Sequence, residues 1–166
     1  MLSKLLLPVH FRIVSGGQTG ADVAALDWAI EAGVPHGGWC PKGRTTEDGV
    51  LDARYALTET PGKGYLQRTE WNVRDSDATV IFTIDDRLDG GSKRTAEFAT
   101  RHRKPWFHMR STVHPRYLAA FVEKHAVVAL NVAGKRLSSA PLVYDLVLAT
   151  MRLAFQPASP SFIKET

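Results

Sequence analysis

The fold is decided by the stretch Ile13-Val14-Ser15-Gly16-Gly17-Gln18-Thr19-Gly20. Its first residues are β-branched and predict a short strand, and its glycines predict a tight turn. Residues 21–32 carry apolar side chains at helical spacing and predict a helix. The free amides and positive dipole end at such a helix start favour an anion, most often phosphate. Because the stretch is neither a Walker A motif nor a full GxGxxG fingerprint, its ligand stays open, and a corner that binds nothing is the alternative.

Strand and helix patterns alternate along the rest of the chain. Further helices are predicted at residues 65–76, 92–103, 115–125 and 141–155, the last with Pro141 at its first position, and further strands at 34–39, 78–84, 105–109 and 127–132. Residues 39–49 lack periodicity and predict a long ordered loop, and residues 52–57 predict a turn of helix. The run 78–84 is apolar almost throughout, which is typical of a parallel strand buried on both faces. The alternation predicts an α/β domain with a mostly parallel sheet.

Glycine-bearing corners follow three of the predicted strands, at residues 15–20, 85–91 and 131–136. Because ligands of parallel α/β sheets bind at the carboxyl ends of the strands, we expect these corners to lie around one site. The second corner has paired glycines, Gly90 and Gly91, followed by the hydroxyl side chains of Ser92 and Thr95. The third adds the side-chain amide of Asn131. Two helix starts aimed at one crevice suit a phosphate-bearing ligand.

Composition bounds the class of protein. The 166 residues are 44% hydrophobic and 23% charged, which predicts one globular domain, residues 1–166, with its core at about 12–155 and a loosely ordered tail at 156–166. A net charge of +4 without a nucleic-acid-binding motif favours a pocket for a phosphorylated small molecule over DNA or RNA. No long apolar run or signal-peptide pattern is present, so we expect a cytoplasmic protein without membrane contact. The single cysteine, Cys40, is either a soft metal contact or a buried packing residue.

Several motifs occur together in one order, from Arg12 to Phe155. They are Gly16-Gly17-Gln18-Thr19-Gly20-Ala21-Asp22, Gly38-Trp39-Cys40-Pro41-Lys42-Gly43-Arg44, Glu47-Asp48-Gly49, Arg68-Thr69, Asn72-Val73, Ser76-Asp77, Gly90-Gly91 and Asn131-Val132-Ala133-Gly134. With this combination the chain resembles the molybdenum cofactor carrier family, which is related to the lysine-decarboxylase-like (Lonely-guy) and nucleotide-sensing SLOG proteins. The resemblance implies a Rossmann-like, doubly wound fold with helices on both faces of the sheet, and assembly into a homo-oligomer, a dimer or tetramer.

The resemblance also implies a function. Proteins of this family bind, protect and hand over the molybdenum cofactor, a phosphorylated molybdopterin that carries molybdenum, and are not expected to transform it. Molybdoenzymes or insertion factors would receive the cofactor. From the motifs and the corners together, the predicted binding residues are Gly16, Gly17, Gln18, Thr19, Gly20, Lys42, Arg44, Gly90, Gly91, Ser92, Thr95 and Asn131. Lys42 and Arg44 would supply positive charge, and no metal ligand is assigned.

Two other functions stay open. The phosphoribohydrolase relatives, which cleave nucleoside monophosphates, carry a PGGxGTxxE motif. Here Asp89 replaces the proline, and Lys93 and Arg94 stand in place of the glycine and threonine, so that only Gly90, Gly91 and Glu97 match. Bulky cations at these positions favour binding over hydrolysis. The third possibility is a non-catalytic sensor of a nucleotide or of ADP-ribose.

Overall fold

Residues 3–159 of the chain are described by a computed structural model. The helices in this range are α1 (Ala21–Ala32), α2 (Tyr65–Arg74), α3 (Gly90–Arg101), α4 (Pro115–Lys124) and α5 (Val143–Ala154). The strands are β1 (Leu5–Leu6), β2 (Arg12–Val14), β3 (His36–Gly37), β4 (Trp39–Cys40), β5 (Thr45–Thr46), β6 (Gly49–Val50), β7 (Thr58–Glu59), β8 (Ala78–Phe82), β9 (Trp106–Met109), β10 (Ala129–Gly134) and β11 (Phe155–Gln156). None of these helices is long and apolar enough to cross a membrane.

The main sheet has five parallel strands in the order β3-β2-β10-β8-β9. The α/β fold class predicted from the alternation is therefore confirmed. The central strand, β10, is the last strand of this sheet along the chain. If β10 and α5 were placed ahead of β2, the order would become the 3-2-1-4-5 order of a Rossmann sheet. The crevice where ligands bind such a sheet then lies between the carboxyl ends of β10 and β8.

Helices cover the sheet on both faces because alternate strand residues point to opposite sides. On one face, Val80 and Leu130 are fully buried against α1, α4 and α5 in the larger core. Burial of each such side chain contributes about 1.5–3 kcal/mol. A separate cluster of Val73, Phe98 and Ala99 joins α2 to α3, and α3 packs on β8 and β10. All five helices lie at the positions predicted from periodicity, within a few residues at their ends.

Three local predictions were wrong. Residues 52–57 form turns without a helix, because the Arg44 guanidinium binds backbone carbonyls that a helix would use. The predicted loop at 39–49 contains β4 and part of an antiparallel hairpin, β5 with β6. Helix α5 begins at Val143, so Pro141 is not its first residue. Pro141 lies in the preceding turn, which is closed by the hydrogen bond that Val143 N donates to Ala140 O.

The two ends of the described chain meet. Strand β1 pairs in parallel with β11, with Leu6 opposite Gln156, and Leu7 N donates to Gln156 O at 2.9 Å. The sequence patterns predicted neither strand. The tail predicted to be loosely ordered starts at this paired residue, and its last part, residues 160–166, lies outside the described residues.

Candidate functional site

A cavity of about 240 Å³ lies at the carboxyl ends of β2, β10 and β8. Its wall includes residues from all three glycine-bearing corners, which the sheet order brings together. Side chains from α2 close the remaining side, among them Tyr65 and Arg68. The cavity thus occupies the crevice that the strand order predicts for a Rossmann sheet.

The predicted binding residues divide into two sets. Those that line the cavity are Gly16, Gln18, Gly90, Gly91, Ser92, Thr95 and Asn131. Those that lie away from its wall are Gly17, Thr19, Gly20, Lys42 and Arg44. Asn131, which belongs both to the predicted strand 127–132 and to the predicted corner 131–136, lies inside β10 and donates to Thr79 Oγ1 at 3.2 Å.

Three of the residues away from the wall, Thr19, Gly20 and Arg44, have structural roles instead. Gly20 has a φ of +83°, and a Cβ there would lie 2.5 Å from Lys135 O, so its small size permits the close approach of two loops. The Thr19 hydroxyl accepts from Leu137 N at 3.1 Å and bonds to Glu47. Arg44 donates to the carbonyls of residues 52, 55 and 57 at 2.9, 2.8 and 3.3 Å, which holds its charge away from the cavity.

The first glycine corner already satisfies amides that we expected to face an anion. Gly17 N donates to Ser15 Oγ at 3.3 Å, Gln18 N to Asp22 Oδ2 at 3.1 Å, and Thr19 N to Gln18 Oε1 at 3.0 Å. An amide engaged in this way has no free proton for a ligand. The expectation that these amides hold phosphate therefore does not agree with the structure, since the Asp22 carboxylate takes the place of an external anion.

The second corner is open. Helix α3 begins at Gly90, and the side chain of its N-cap residue, Asp89, makes no capping hydrogen bond. First-turn amides without an intrahelical acceptor bear the positive end of the helix dipole. The buried Ser92 hydroxyl in this turn has no hydrogen-bond partner. This end of the cavity can therefore accept an anionic group.

A buried ion pair joins α1 to α2 at the opposite end. Arg68 Nη1 lies 3.1 Å from Asp22 Oδ2, and the side chains are only 11% and 5% exposed. Burial raises the pKa of Asp22, and the Arg68 guanidinium and the Gln18 amide offset part of that rise. A Cβ on Gly16 would overlap the Arg68 guanidinium, so this glycine provides the space in which Arg68 reaches Asp22.

Further cations surround the mouth. Arg94, Lys135 and Arg136 line the cavity, and Lys135 forms an ion pair with Asp89. The Arg136 guanidinium lies 5.5 Å from the centre of the Tyr65 ring, and that of Arg68 lies 5.7 Å from it. The predicted set omitted these cations and Tyr65. The sequence did carry signals for the cations, because Lys135 and Arg136 directly follow the third corner and Arg68 belongs to the motif Arg68-Thr69.

Unpartnered buried polar atoms concentrate in this cavity. Within residues 3–159, the buried side-chain atoms without a hydrogen bond are Gln18 Nε2, Arg68 Nε, Ser92 Oγ and Arg110 Nε, and the first three belong to residues that line the cavity. Each such atom costs about 1–3 kcal/mol. Native proteins rarely leave polar groups in this state without a partner such as a ligand or water. These atoms therefore make the cavity the candidate site for a polar ligand.

Residues 3–159 contain no group of three or more His, Cys, Asp or Glu side chains that could hold a metal ion. Cys40 is 1% exposed, packs with Leu26 and Leu51, and does not line the cavity. Burial raises the pKa of the Cys40 thiol, which disfavours the thiolate that a metal requires. Its placement agrees with the packing alternative.

The permuted strand order and the crevice at the strand ends define the class as a Rossmann-like α/β domain. Residues 13–155 match the model of the circularly permutated YpsA SLOG family, and the chain belongs to this family. The family's description agrees with the position of β10, the last strand of the sheet along the chain, at the centre of the sheet.

One solved structure is similar over most of the chain. It is that of a protein from Syntrophus aciditrophicus SB named "Putative molybdenum carrier protein", with 40% sequence identity and a TM-score of 0.83. The similarity covers 88% of this chain and 95% of that protein. None of the curated proteins compared with this chain matches it.

Proposed function

We propose that this protein binds the molybdenum cofactor in the cavity between the glycine-bearing corners and carries it to recipient proteins. The observation that carries the proposal is that three unpartnered buried polar atoms belong to residues that line one cavity, Ser92 at the uncapped start of α3 and Gln18 and Arg68 at the other end. A phosphorylated, polar ligand would supply the missing acceptors. The name of the similar Syntrophus protein supports molybdenum as part of the cargo.

The residues present fit the organic part of such a cargo. The phosphate would lie at the N-terminus of α3, where Gly90, Gly91 and Ser92 face the cavity. Arg94 and Lys135 line the same wall as donors, each paired with a carboxylate, that of Glu97 and that of Asp89. The volume of about 240 Å³ is just below the roughly 300–1,000 Å³ typical of small-molecule sites, so part of the ligand would remain at the open mouth. An exposed portion suits a carrier, because a recipient must reach the cargo.

The chain would grip the cofactor through hydrogen bonds to its organic framework and not through a metal–protein bond. The described residues offer donors in the cavity and no metal-ligating cluster. The metal would then retain the ligands that it has when it arrives. Such binding can be reversed without breaking a coordinate bond, which transfer requires.

The carrier function agrees better with the site than phosphoribohydrolase chemistry does. The hydrolase alternative requires an acid or base in the cavity, for which Asp22, Asp89 and Glu97 are the candidates. Asp22 and Asp89 line the cavity but form ion pairs with Arg68 and Lys135. Glu97 is the carboxylate that matches the hydrolase motif. Its side chain is 43% exposed, pairs with Arg94 at 3.2 Å and does not line the cavity. Incubation with AMP checks the alternative directly, and free adenine above the background of a blank reaction would favour the hydrolase.

The binding proposal is tested by cargo retention. The purified protein is incubated anaerobically with released molybdenum cofactor and separated by gel filtration. Bound molybdenum is measured by mass spectrometry, and bound pterin by fluorescence after oxidation. We expect both to elute with the protein in equal amounts, close to one per chain.

Two matched variants make the result specific. Arg68→Met removes a cation that lines the cavity. Arg152→Met removes a cation outside the cavity, whose guanidinium lies 2.7 Å from the Glu31 carboxylate. We expect the first to lose cargo by about tenfold, consistent with a hydrogen bond to a charged group, and the second to retain it. Absence of pterin from the wild-type protein, or equal retention by both variants, contradicts the proposal.

We further propose that the protein assembles as a homo-oligomer. Leu142 and Leu153, at the start and within the last turn of α5, are 67% and 62% exposed. Burial of such side chains against a second copy would stabilise a dimer. Light scattering of the purified protein measures its mass directly, and a monomer at micromolar concentration contradicts this proposal.

A further inference from the structure

The end of the cavity away from α3 carries a pattern of donors and acceptors that the phosphate does not use. It is formed by Gln18, Asp22 and Arg68, called the inner cluster below. The side chains meet because Gln18 N and Arg68 Nη1 both donate to Asp22 Oδ2 at 3.1 Å. Gln18 and Asp22 are 6% and 4% exposed, so whatever these groups bind is shielded from water.

The orientation of the Gln18 amide is fixed by its neighbours. Its Oε1 accepts from two backbone amides, Thr19 N and Glu47 N, each at 3.0 Å. Because both partners are donors, the oxygen must face them and the nitrogen must face the other way. Nε2 is then a buried donor without a partner, in a residue that lines the cavity.

Arg68 and Asp22 add a second donor and an acceptor. Arg68 Nε is buried without a partner, although its Nη1 is engaged. Both hydrogen bonds to Asp22 fall on Oδ2, which leaves Oδ1 to accept from a ligand. The inner cluster therefore presents two donors, Gln18 Nε2 and Arg68 Nε, and one carboxylate oxygen.

The charge of the inner cluster disfavours a second anion. Arg68 is neutralised by Asp22, and a phosphate or oxyanion placed here would lie next to the Asp22 carboxylate. Like charges in a buried site cost free energy that the remaining donors would have to overcome. A neutral group with both an acceptor and donors avoids this repulsion.

An aromatic ring lies at the same side of the cavity. Tyr65 lines the cavity, and the Arg68 and Arg136 guanidinium groups lie 5.7 and 5.5 Å from the centre of its ring. A flat heterocycle can stack on such a surface while its edge reaches inward.

We infer that the inner cluster recognises the edge of a heterocycle in which a ring carbonyl adjoins a ring N–H and an exocyclic amino group. Guanine and pterin rings share this edge. The carbonyl accepts from Gln18 Nε2 and Arg68 Nε, and the N–H and amino groups donate to Asp22 Oδ1. The inference rests on the proposed function, because it gives the ring of a phosphorylated ligand a place opposite the phosphate at α3.

Calorimetric titration with four phosphorylated probes tests the inference. GMP has the complete edge, IMP lacks only the amino group, and AMP lacks both the carbonyl and the ring N–H. Neopterin monophosphate has the edge on a pterin and separates the two ring sources. We expect GMP or neopterin monophosphate to bind at least tenfold more tightly than IMP and AMP. IMP loses one of the two hydrogen bonds to the charged Asp22 carboxylate, and AMP leaves Asp22 Oδ1, Gln18 Nε2 and Arg68 Nε without partners.

Variants assign the preference to the cluster. Asp22→Asn removes the carboxylate, and we expect the ratio of GMP to IMP affinity to fall to about one. Gln18→Glu keeps an oxygen for the two amides that Gln18 binds but replaces the free donor with an acceptor, so we expect a loss of at least tenfold for every carbonyl-bearing probe. Gln67→Glu is its matched control, because Gln67 Oε1 accepts from Gly62 N at 3.0 Å outside the cavity. Thermal unfolding confirms that each variant is folded.

The outcomes separate this inference from the proposed function. Equal affinity for GMP and IMP, binding of none of the four probes, or an unchanged affinity in Gln18→Glu overturns the inference. If the protein nevertheless retains molybdenum and pterin in gel filtration, the carrier function stands. If the protein instead prefers GMP to IMP but does not retain molybdenum and pterin in gel filtration, the ring inference stands and the proposed carrier function is wrong.

Discussion

Loss of the Arg68 cation tests the central feature of the site. In Arg68→Met the Asp22 carboxylate stays buried and keeps the hydrogen bond from Gln18 N but loses its counter-charge. Removal of one partner from a buried ion pair typically costs 3–5 kcal/mol. Because Arg68 is 11% exposed and the amide hydrogen bond remains, we expect the lower end, a loss of about 3 kcal/mol in the free energy of unfolding. That is a large share of the roughly 5–15 kcal/mol that stabilises an ordinary domain.

The loss is measured by urea unfolding at pH 7, with Arg152→Met as the control. The control breaks an exposed pair with Glu31 and should cost no more than about 1 kcal/mol. The double variant Asp22→Asn/Arg68→Met removes both charges, so we expect it to be more stable than Arg68→Met alone.

The pH dependence gives a second readout of the same variant. Burial raises the pKa of Asp22, and Arg68 opposes that rise, so the variant raises this pKa further. The penalty applies while Asp22 is charged and fades as the pH falls through its raised pKa. The stability difference between wild type and Arg68→Met should therefore narrow as the pH is lowered from 7 toward 3.8, the ordinary pKa of an aspartate. A loss below about 1 kcal/mol at pH 7, or a difference that does not change with pH, refutes the argument.

Three further outcomes are expected. Gly38 has a φ of +130° and a Cβ there would overlap Ser15 O, so Gly38→Ala should lower the free energy of unfolding by about 2 kcal/mol or more. Its neighbour Gly37 has open space around it and should tolerate alanine. Equal effects of the two substitutions in urea unfolding contradict this prediction. Hydrogen bonds from adjoining loops lower the pKa of Glu47 below its ordinary value of 4.5, so its contribution to the free energy of unfolding is present above pH 4.5 and is lost as the pH falls through the lower folded value. Glu47→Gln should therefore make the melting temperature fall less steeply at acid pH. An unchanged dependence of the melting temperature on acid pH contradicts this prediction. Cys40 should react with a thiol reagent only after unfolding, and Cys40→Ser should retain molybdenum, so loss of the metal from a folded variant would restore the soft-ligand alternative.

The sequence determined the class of fold because the signals for it are local. Helical spacing in α1 to α5 and the apolar run of β8 depend only on neighbours within a few residues, and the structure contains these elements. Glycines at the three corners marked where strands end, and the parallel sheet brings those ends to one cavity. The sequence alone could predict that the three corners lie together, because all strands of a parallel sheet run in one direction and their carboxyl ends meet at one edge.

Only the tertiary structure decided which groups remain free at the cavity. The first corner looked like an anion site, but Asp22 and the Gln18 side chain occupy its amides, and Arg44 binds carbonyls of its own loop. Arg68, forty-six positions from Asp22, completes the buried pair. Satisfaction of a polar group depends on every neighbour within about 3 Å, whatever its distance along the chain. A local pattern therefore marks candidate donors, and the packing of distant segments decides which of them a ligand can use.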